Sequence, residues 1–443
     1  MPLTPRLSQA EAPTYSIDNS SVTGTSGLRD KEQPERPSAS RRLFFNLLDQ
    51  CVTDARVHFR VGELDYCVGE KLDQSKAGEQ SRVVIRVHRE RFFSRVLSYN
   101  NLGLGEAYMD GDFELEEGTL HEFLTILLRN RLGERIRQRP RLALRVLGIR
   151  LANAIRGGSQ NIAAHYDLGD DLFETFLGSN LVYSCGYAET TSDDLEQLQF
   201  NKLDRICQKL RLEPGQRLLD IGCGYGGLLI HAAKHYGAHG FGITNSRAHM
   251  ERARSNVARA GLSEQIRIEL QAFQSLETDL PSSEARFDRV VSVGMLEHVA
   301  RSQYKRYFRT IAEMLQPRGM GLVHCIGCNS FRNEHDPFIQ KHIFPSSGQP
   351  RLSEMALFLE RSGLAILDVE NIVRHYAYTV LHWLQRFREN QHVLDPVKYD
   401  LSFRRMWEYY LHCGIAAAFA SDSAVYQVLF TRDYAAPIPL RRV

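Results

Sequence analysis

The first candidate for chemistry is a glycine-rich turn near the middle of the chain, where the pattern Gly222-x-Gly224-x-x-Gly227 follows a short apolar run. The apolar run is typical of a strand, and residues 228–234 continue from the last glycine with a helix-like composition. Glycine lacks the Cβ atom that would keep a ligand away from the backbone, and a helix start offers free N–H groups and the positive end of the helix dipole. The pattern therefore predicts a strand, a tight loop and a helix that together hold a nucleotide-like ligand.

The segment after this loop separates two classes of nucleotide-binding enzyme. Dinucleotide dehydrogenases use the same glycine spacing and place an acidic residue about 20 residues further on to hold the ribose hydroxyls. Here the next predicted strand, 240–243, runs into Thr244-Asn245-Ser246 with no acid. Residues 287–294 predict another strand, and 315–324 predict a helix end, a turn and a strand. This order resembles the class I S-adenosylmethionine (SAM)-dependent methyltransferases, and the resemblance implies an α/β fold with a Rossmann-like, doubly wound sheet.

Length and composition leave room for a second domain and argue against some partners. The chain has 443 residues, a formal net charge of +2 and 43% hydrophobic residues, which is ordinary for a folded protein and does not favour nucleic acid as a partner. Its eight cysteines lack the paired spacing of a disulfide scaffold. The N-terminus has no apolar signal core, and no run reaches the about 20 apolar residues of a membrane span. An intracellular protein is expected.

Four regions follow from changes in composition along the chain. Residues 1–40 are rich in Ser, Thr, Pro, Gly and charge, which predicts a disordered tail. Residues 41–130 combine an amphipathic helical pattern with alternating runs at 55–61 and 82–87, and predict a smaller N-terminal α+β domain that associates with lipid. Within it, a glycine-punctuated segment at 102–113 precedes a predicted helix at 120–128. A basic linker at 131–160 and a catalytic domain at 161–443 complete the division.

The basic linker carries eight arginines interleaved with Leu, Ile and Val, and only Glu134 opposes them. These arginines are Arg131, Arg135, Arg137, Arg139, Arg141, Arg145, Arg150 and Arg156. One interpretation is a solvated linker helix broken by Pro140. The other is a surface that lies on anionic lipid, to which each arginine near the surface contributes about 1 kcal/mol. A nucleic-acid patch is disfavoured because aromatic residues are not interleaved.

Motifs on both sides of the glycine loop make the resemblance more specific. The first are Tyr166-Asp167-Leu168-Gly169-Asp170 and, after it, Tyr183-Ser184-Cys185-Gly186-Tyr187. Further motifs lie at 105–111, 294–299, 322–327, 341–345 and 382–387, with Tyr376 before the last of them. In this order they resemble the cyclopropane-fatty-acid synthase family of SAM-dependent lipid methyltransferases. The motif at 105–111 is similar to the N-terminal domain of the full-length bacterial synthases.

The activity that this resemblance implies is transfer of the SAM methyl carbon, as a methylene, across the double bond of an unsaturated phospholipid acyl chain. An alkene is a weak nucleophile, so the sulfonium of SAM must be the activated partner. Methyl transfer leaves a carbocation, and ring closure requires a base that removes a proton from the new methyl group while water is excluded. In the family this base is a bound bicarbonate. The resemblance places its shell at Cys185, Glu297, His324, Tyr376 and the backbone of Ile326.

Glu297 is the leading candidate on chemical grounds as well, because it follows an apolar run where a carboxylate would be costly to bury without a partner. For the other shell residues the plainer interpretation is a buried Cys or a hydrogen-bonded core His. A metal site at Cys325-Ile326-Gly327-Cys328 is not expected, because residues three apart on a strand point to opposite faces and no second cysteine pair exists.

The cofactor shell follows from the same resemblance. It comprises Tyr183, Ser184, Gly222, Gly224, Thr244, Ser246 and Phe273. The first two would meet the methionine end of SAM, the two glycines would let the ligand approach the backbone, and the next two would take the ribose side. The aromatic ring would stack on adenine, or alternatively serve as an ordinary core aromatic.

The resemblance also implies a homodimer, and the expected partner is unsaturated phospholipid in a membrane, without nucleic acid. The expected location is cytoplasmic, peripheral at the inner face of the membrane. Two alternatives stay open. The same enzyme class could make a methyl-branched lipid or methylate a small amine, as in plant relatives, or the chain could be a lipid-binding homologue without turnover. The bicarbonate shell favours a deprotonating enzyme over the amine methyltransferase and the inactive binder.

Overall fold

The computed structural model describes residues 37–69, 83–155, 169–179, 181–276, 286–329, 336–345, 347–420 and 423–434, together with residue 438. Most of the predicted tail at 1–40 lies outside these ranges, as do Arg156 and the segment 165–168 of the first family motif. Within the described part of the chain, no helix has the length and apolar character needed to cross a membrane.

The N-terminal region forms a four-stranded sheet with helices packed on it. Its strands are β1 (Val57–Val61), β2 (Leu64–Val68), β3 (Val83–Val87) and β4 (Phe113–Glu117), in the order β2-β1-β3-β4. Its helices are α1 (Ala39–Cys51), α2 (Arg91–Met109) and α3 (Leu120–Arg129). Strands β1 and β3 run parallel, and β2 and β4 pair antiparallel at the two edges. The strands predicted at 55–61 and 82–87 and the helix predicted at 120–128 are confirmed.

The glycine-punctuated segment is largely helical rather than irregular. Gly103 and Gly105 lie inside α2, which bends at Asn100, where the backbone has a φ of 51°. A Cβ atom on Gly105 would overlap atoms of the Phe338 and Tyr409 rings. Glycine is therefore required here by a close contact with distant residues, a reason that local sequence does not show.

The basic linker forms α4 (Leu132–Arg137) and α5 (Pro140–Ile155). The helical path is interrupted before Pro140, as predicted, and proline then occupies the first position of α5, where its missing N–H leaves no helical hydrogen bond unmade. Leu142 and Val146 bury one face of α5 against the N-terminal core.

A seven-stranded sheet forms the centre of the catalytic region, in the order β10-β11-β9-β8-β5-β6-β7. Its strands are β5 (Arg217–Ile221), β6 (His239–Thr244), β7 (Ile266–Leu270), β8 (Phe287–Val293), β9 (Leu315–Gly327), β10 (Ala365–Asn371) and β11 (Ala424–Thr431). Strands β5 to β9 pair in parallel, and β11 pairs antiparallel with both β9 and β10. The strand order reverses beside β5, so the crevice at the carboxyl ends of β5 and β8 is the expected ligand site.

Helices cover both faces of this sheet, as the predicted doubly wound fold requires. They are α6 (Asp170–Phe176), α7 (Leu195–Lys209), α8 (Gly227–Tyr236), α9 (Arg247–Arg259), α10 (Tyr304–Met314), α11 (Pro337–His342), α12 (Leu352–Arg361), α13 (Val373–Asn390) and α14 (Leu401–Ala420). The strands predicted at 240–243 and 287–294 are confirmed. The turn predicted at 315–319 is an irregularity within β9, because Phe287 pairs with Leu315 while Arg289 already pairs with Met320.

One hydrophobic core joins the N-terminal sheet to α13 and α14. The aromatic rings of Phe44, Phe92 and Phe93 interlock edge to face at one end of it. Trp383 and Trp407 are fully buried at the other end and belong to the same continuous cluster. The division at 130 and 160 stays a prediction, since packing is continuous across it.

The contact at Gly105 yields a test of how far the two regions depend on each other. We expect Gly105→Val to lower the free energy of unfolding by about 1–3 kcal/mol, because the added methyl groups overpack the interface with Phe338 and Tyr409. Urea unfolding followed by circular dichroism measures this. Gly148→Val is the matched control, since Gly148 lies in α5 with no atom within 4 Å of its Cβ position. An equal loss in both variants would mean that the contact with Phe338 and Tyr409 does not set the cost.

Candidate active site

A single cavity of about 1730 Å³ connects the carboxyl edge of the large sheet with the N-terminal helices. Near the sheet, the residues that line it include Tyr183, Ser184, Cys185, Glu297, His324, Ile326 and Tyr376. The N-terminal helices contribute a mostly apolar wall that includes Leu47, Leu104, Phe123, Leu127 and Val146. All five residues of the predicted catalytic shell therefore face one space.

Glu297 occupies a short 3₁₀ helix, Leu296–His298, directly after β8. Its side chain is buried, and its Oε1 atom accepts a hydrogen bond from the Ile326 N–H on the neighbouring strand β9. Its Oε2 atom has no hydrogen-bond partner in the described structure. Burial raises the pKa of Glu297 to about 7, and the Ile326 N–H opposes this rise. Glu297 is therefore a carboxyl group that can hold or release a proton near neutral pH.

His324 lies on β9 and is also buried. Burial, followed by the charges of Lys202 and Lys209, lowers its pKa to about 3, so the ring is neutral. The side-chain amide of Gln427 lies 3.3 Å from Nδ1. With the amide nitrogen as donor in this contact, the ring proton lies on Nε2, which is then a hydrogen-bond donor.

Cys185 and Tyr376 complete the shell as neutral groups. The Cys185 Sγ atom donates to the Gly186 carbonyl at 3.1 Å, and burial raises the thiol pKa far above its usual range. Burial likewise raises the pKa of Tyr376, and the neighbouring Tyr410 adds to the effect. Because a nucleophilic cysteine needs a lowered pKa, Cys185 suits hydrogen bonding rather than covalent catalysis.

Tyr183 and Ser184, which the sequence assigns to the methionine end of the cofactor, lie beside this shell. The Tyr183 hydroxyl lies 2.7 Å from the Tyr410 hydroxyl. The Ser184 hydroxyl accepts a hydrogen bond from the Lys202 ammonium at 2.9 Å. Both side chains are therefore held in place by residues from distant parts of the chain.

The glycine loop has the backbone that a close-lying ligand needs. Gly222 and Gly224 have φ values of 84° and 52°, in the region that only glycine adopts readily. A Cβ atom on Gly222 would lie 2.8 Å from the Met295 side chain, whereas a Cβ on Gly224 would enter open space. The open side at Gly224, next to the start of α8, fits the approach of a nucleotide-like group such as SAM.

The remaining predicted cofactor residues lie along the carboxyl ends of β6 and β7, outside the lining of the cavity. The Thr244 hydroxyl accepts from the Ser246 N–H at 3.2 Å, and the Ser246 hydroxyl caps α9 by accepting from the His249 N–H. Each hydroxyl keeps its own proton as a donor. Phe273 is nearly buried and meets Tyr307 edge to face, so its visible contacts are those of a core aromatic. Stacking on adenine stays a prediction.

Sequence reasoning missed three residues that the structure brings to the site: Lys202, His298 and Tyr410. Lys202 lies on an amphipathic helix, where a lysine ordinarily indicates the solvent-exposed face. His298 lies within the motif at 294–299, and only the folded structure shows that it lines the cavity. Tyr410 lies on α14, and its local sequence does not distinguish it from an ordinary core tyrosine.

Known proteins are similar to this chain over most of its length. The sequence profile described as "Mycolic acid cyclopropane synthetase" matches residues 155–428, more than half of the chain. The cyclopropane-fatty-acyl-phospholipid synthase of Escherichia coli strain K12 is 37% identical over 350 residues, which cover 79% of this chain and 87% of that protein. The chain belongs to the cyclopropane-fatty-acyl-phospholipid synthase family.

Other members of this synthase family are similar over comparable lengths. The tuberculostearic acid methyltransferase UfaA1 of Mycobacterium tuberculosis is 30% identical over 365 residues, which cover 78% of this chain and 83% of that protein. The structure of mycolic acid cyclopropane synthase CmaA1, complexed with SAH and CTAB, superimposes with a TM-score of 0.52 and 26% identity, covering 61% of this chain and 97% of that chain. The predicted family, fold class and enzyme class, a SAM-dependent methyltransferase, are confirmed.

The raised pKa of Glu297 can be tested by measuring how the stability of the protein depends on pH. Glu297→Gln keeps an oxygen for the Ile326 N–H and removes the ionisable group. The folded-state pKa of about 7 lies above the ordinary value of 4.5, so the stability that protonated Glu297 provides is fully present below pH 4.5 and is lost as the pH rises through about 7. Relative to the variant, the wild-type protein should lose about 1.4 kcal/mol per pH unit across this window.

We expect the variant to be the more stable protein at about pH 8 although turnover is lost, an exchange typical of catalytic sites. Urea titrations of both proteins at about pH 5 and about pH 8 measure the difference. A stability difference that does not change with pH would contradict the assignment of the raised pKa to Glu297.

Proposed function

We propose that this protein is a cyclopropane-fatty-acyl-phospholipid synthase, which transfers the methyl carbon of SAM as a methylene across the double bond of an unsaturated acyl chain in a membrane phospholipid. The observation that carries this proposal is the continuity of the cavity. Its apolar wall between the N-terminal helices suits an acyl chain, and it ends among the polar groups of the Glu297 shell. Exposed Arg131, Arg137 and Arg150 line the N-terminal part, where they suit a lipid phosphate.

When bound, SAM supplies an electrophilic methyl carbon, and Tyr183, Ser184 and the glycine loop are the residues that would hold it. The chain itself excludes water, since the shell side chains are buried and the rest of the cavity wall is largely apolar. The rings of Tyr183 and Trp383 lie 5.2 Å apart beside Tyr376. Aromatic faces of this kind stabilise positive charge, which develops on the acyl chain during the reaction.

We also propose that the shell binds bicarbonate as the general base. Support comes from the groups around this space: a protonated Glu297 at Oε2 and the His324 Nε2–H would donate to a small oxyanion. The Cys185 thiol and the Tyr376 hydroxyl would join them by turning their protons away from Gly186 and Tyr410. Because the Ile326 N–H already donates to Glu297, Ile326 would contact the bicarbonate through its carbonyl oxygen. On taking the methyl proton, bicarbonate would become carbonic acid, and Glu297, with a pKa of about 7, would accept that proton at Oε2 once its own proton has left.

The decisive experiment is mass spectrometry of unsaturated phospholipid vesicles after incubation with purified protein and SAM, with and without bicarbonate. We expect a gain of one CH₂ unit per acyl chain that resists mild hydrogenation and depends on bicarbonate. A product that hydrogenation converts further would indicate a methyl-branched alkene instead. SAM binding without any lipid product would favour another acceptor or the lipid-binding homologue.

Helix α5 supports the proposal that the protein works on a membrane surface. Leu144, Leu147 and Leu151 are 67%, 49% and 56% exposed. At 100° per residue they share one face, opposite the face buried in the N-terminal core, and exposed Arg141 and Arg145 flank them. An exposed apolar stripe beside cationic side chains is typical of a helix that lies in an anionic bilayer surface. Leu147 also lines the cavity, which would bring the bilayer close to the acyl-chain passage.

The exposed leucines of α5 can be tested directly. We expect the triple variant Leu144→Ser, Leu147→Ser, Leu151→Ser to reduce binding to anionic phospholipid vesicles several-fold in a co-sedimentation assay, because its membrane-inserting face is lost. Leu357→Ser, at a 42% exposed leucine on α12, is the control for loss of any surface leucine. Unchanged vesicle binding by the triple variant would contradict a role for this face.

The proposal includes two further expectations that come from the family resemblance alone. We propose a homodimer, which multi-angle light scattering would distinguish from a monomer. We also propose peripheral association with the cytoplasmic face of the inner membrane, which fractionation of cells that express the protein would test.

A further inference from the structure

A buried lysine lies behind the predicted cofactor pocket, and the catalytic shell does not use it. Lys202, on α7, is 1% exposed, and its Nζ atom donates to the Ser184 hydroxyl at 2.9 Å. No described carboxylate lies within ion-pair distance of it, although the buried Asp220 on β5 interacts with it over a longer range. An ammonium group buried this deeply normally has an anionic partner, because desolvating an isolated charge is costly.

A second buried lysine on the same helix shows the usual arrangement. Lys209 is 4% exposed and forms ion pairs with Glu370 and Asp368. Both lysines lose hydration to a similar degree, but only Lys209 has carboxylates beside it in the described structure. Burial lowers the pKa of Lys202 to about 7 despite the charge of Asp220, so a further negative charge near it would stabilise its ammonium form.

The bond to Lys202 also determines what Ser184 can offer. A serine hydroxyl has one donor proton and two acceptor positions, and the ammonium occupies an acceptor position. The Ser184 proton must therefore point elsewhere, and Ser184 lines the cavity. A hydroxyl polarised by an ammonium behind it is a strong donor, and it suits an anionic oxygen.

We propose that Lys202 is a positioning residue that fixes the Ser184 hydroxyl as a donor to the α-carboxylate of the methionine part of SAM. This inference rests on the proposed function, which assigns the methionine end to Tyr183 and Ser184. Lys202 does not touch the ligand in this arrangement. It sets the direction of the hydroxyl and supplies positive charge near the carboxylate.

Decarboxylated SAM lacks only the carboxylate and therefore separates this role from a structural one. Isothermal titration calorimetry would compare SAM with decarboxylated SAM on the wild-type protein and on Lys202→Met. We expect the variant to bind SAM about tenfold more weakly, the usual effect of losing one hydrogen bond to a charged group, and to bind decarboxylated SAM as well as the wild type or better. Lys202→Arg, which keeps the charge, should restore part of the preference for SAM.

Two further variants test whether the fold is intact and whether Lys202 acts on SAM binding through Ser184. Lys209→Met removes a buried ammonium from the same helix without touching Ser184, and it should leave the ratio of the two affinities unchanged. In a Ser184→Ala background, Lys202→Met should have a much smaller effect on SAM binding, because the two residues act as one unit. Additive effects, or equal weakening of both ligands by Lys202→Met, would overturn the inference. A wild-type protein that binds neither ligand would instead contradict the proposed function.

Discussion

The site depends on one hydrogen bond, from the Ile326 N–H to the Glu297 carboxylate. It ties the short helix after β8 to the neighbouring strand β9, whose own pairing places Val293 opposite His324. His324 therefore reaches the cavity by sheet register, and Glu297 reaches it through the short helix that this hydrogen bond fixes against β9. Strands of a packed sheet hold such groups more firmly than surface loops do, and proton transfer requires accurately placed atoms.

Burial gives the shell its chemical character. The same loss of hydration lowers the pKa of His324, so that its ring is neutral, and raises the pKa of Glu297 to about 7, so that its carboxyl group gains and loses a proton near physiological pH. A neutral, dry shell can hold a small anion by donated hydrogen bonds, and it keeps water away from a reactive cation. The Oε2 atom of Glu297 has no hydrogen-bond partner among the described residues, which is a cost to folding that a purely structural residue would not impose.

The N-terminal region is part of the active site rather than an attached module. Its helices supply much of the cavity wall, and its aromatic core continues into α13, which carries Tyr376. The close fit of Gly105 against Phe338 and Tyr409 holds the two regions together. An acyl chain that entered between the N-terminal helices would reach the predicted shell without leaving the protein.

The amino-acid sequence alone determined the glycine loop, the strands at 240–243 and 287–294, the doubly wound fold class and the family, because these depend on local spacing and on motifs that stay together along the chain. It also predicted five shell residues, all of which line one cavity. It left Phe273 between adenine stacking and core packing, since an aromatic residue has the same local pattern in both roles. Only the tertiary structure placed Lys202 behind Ser184, Tyr410 beside Tyr183 and the Gly105 contact between two regions. In each case the contacting residues lie on separate segments of the chain. The packing of whole elements brings them together, and the local sequence of one segment does not show it.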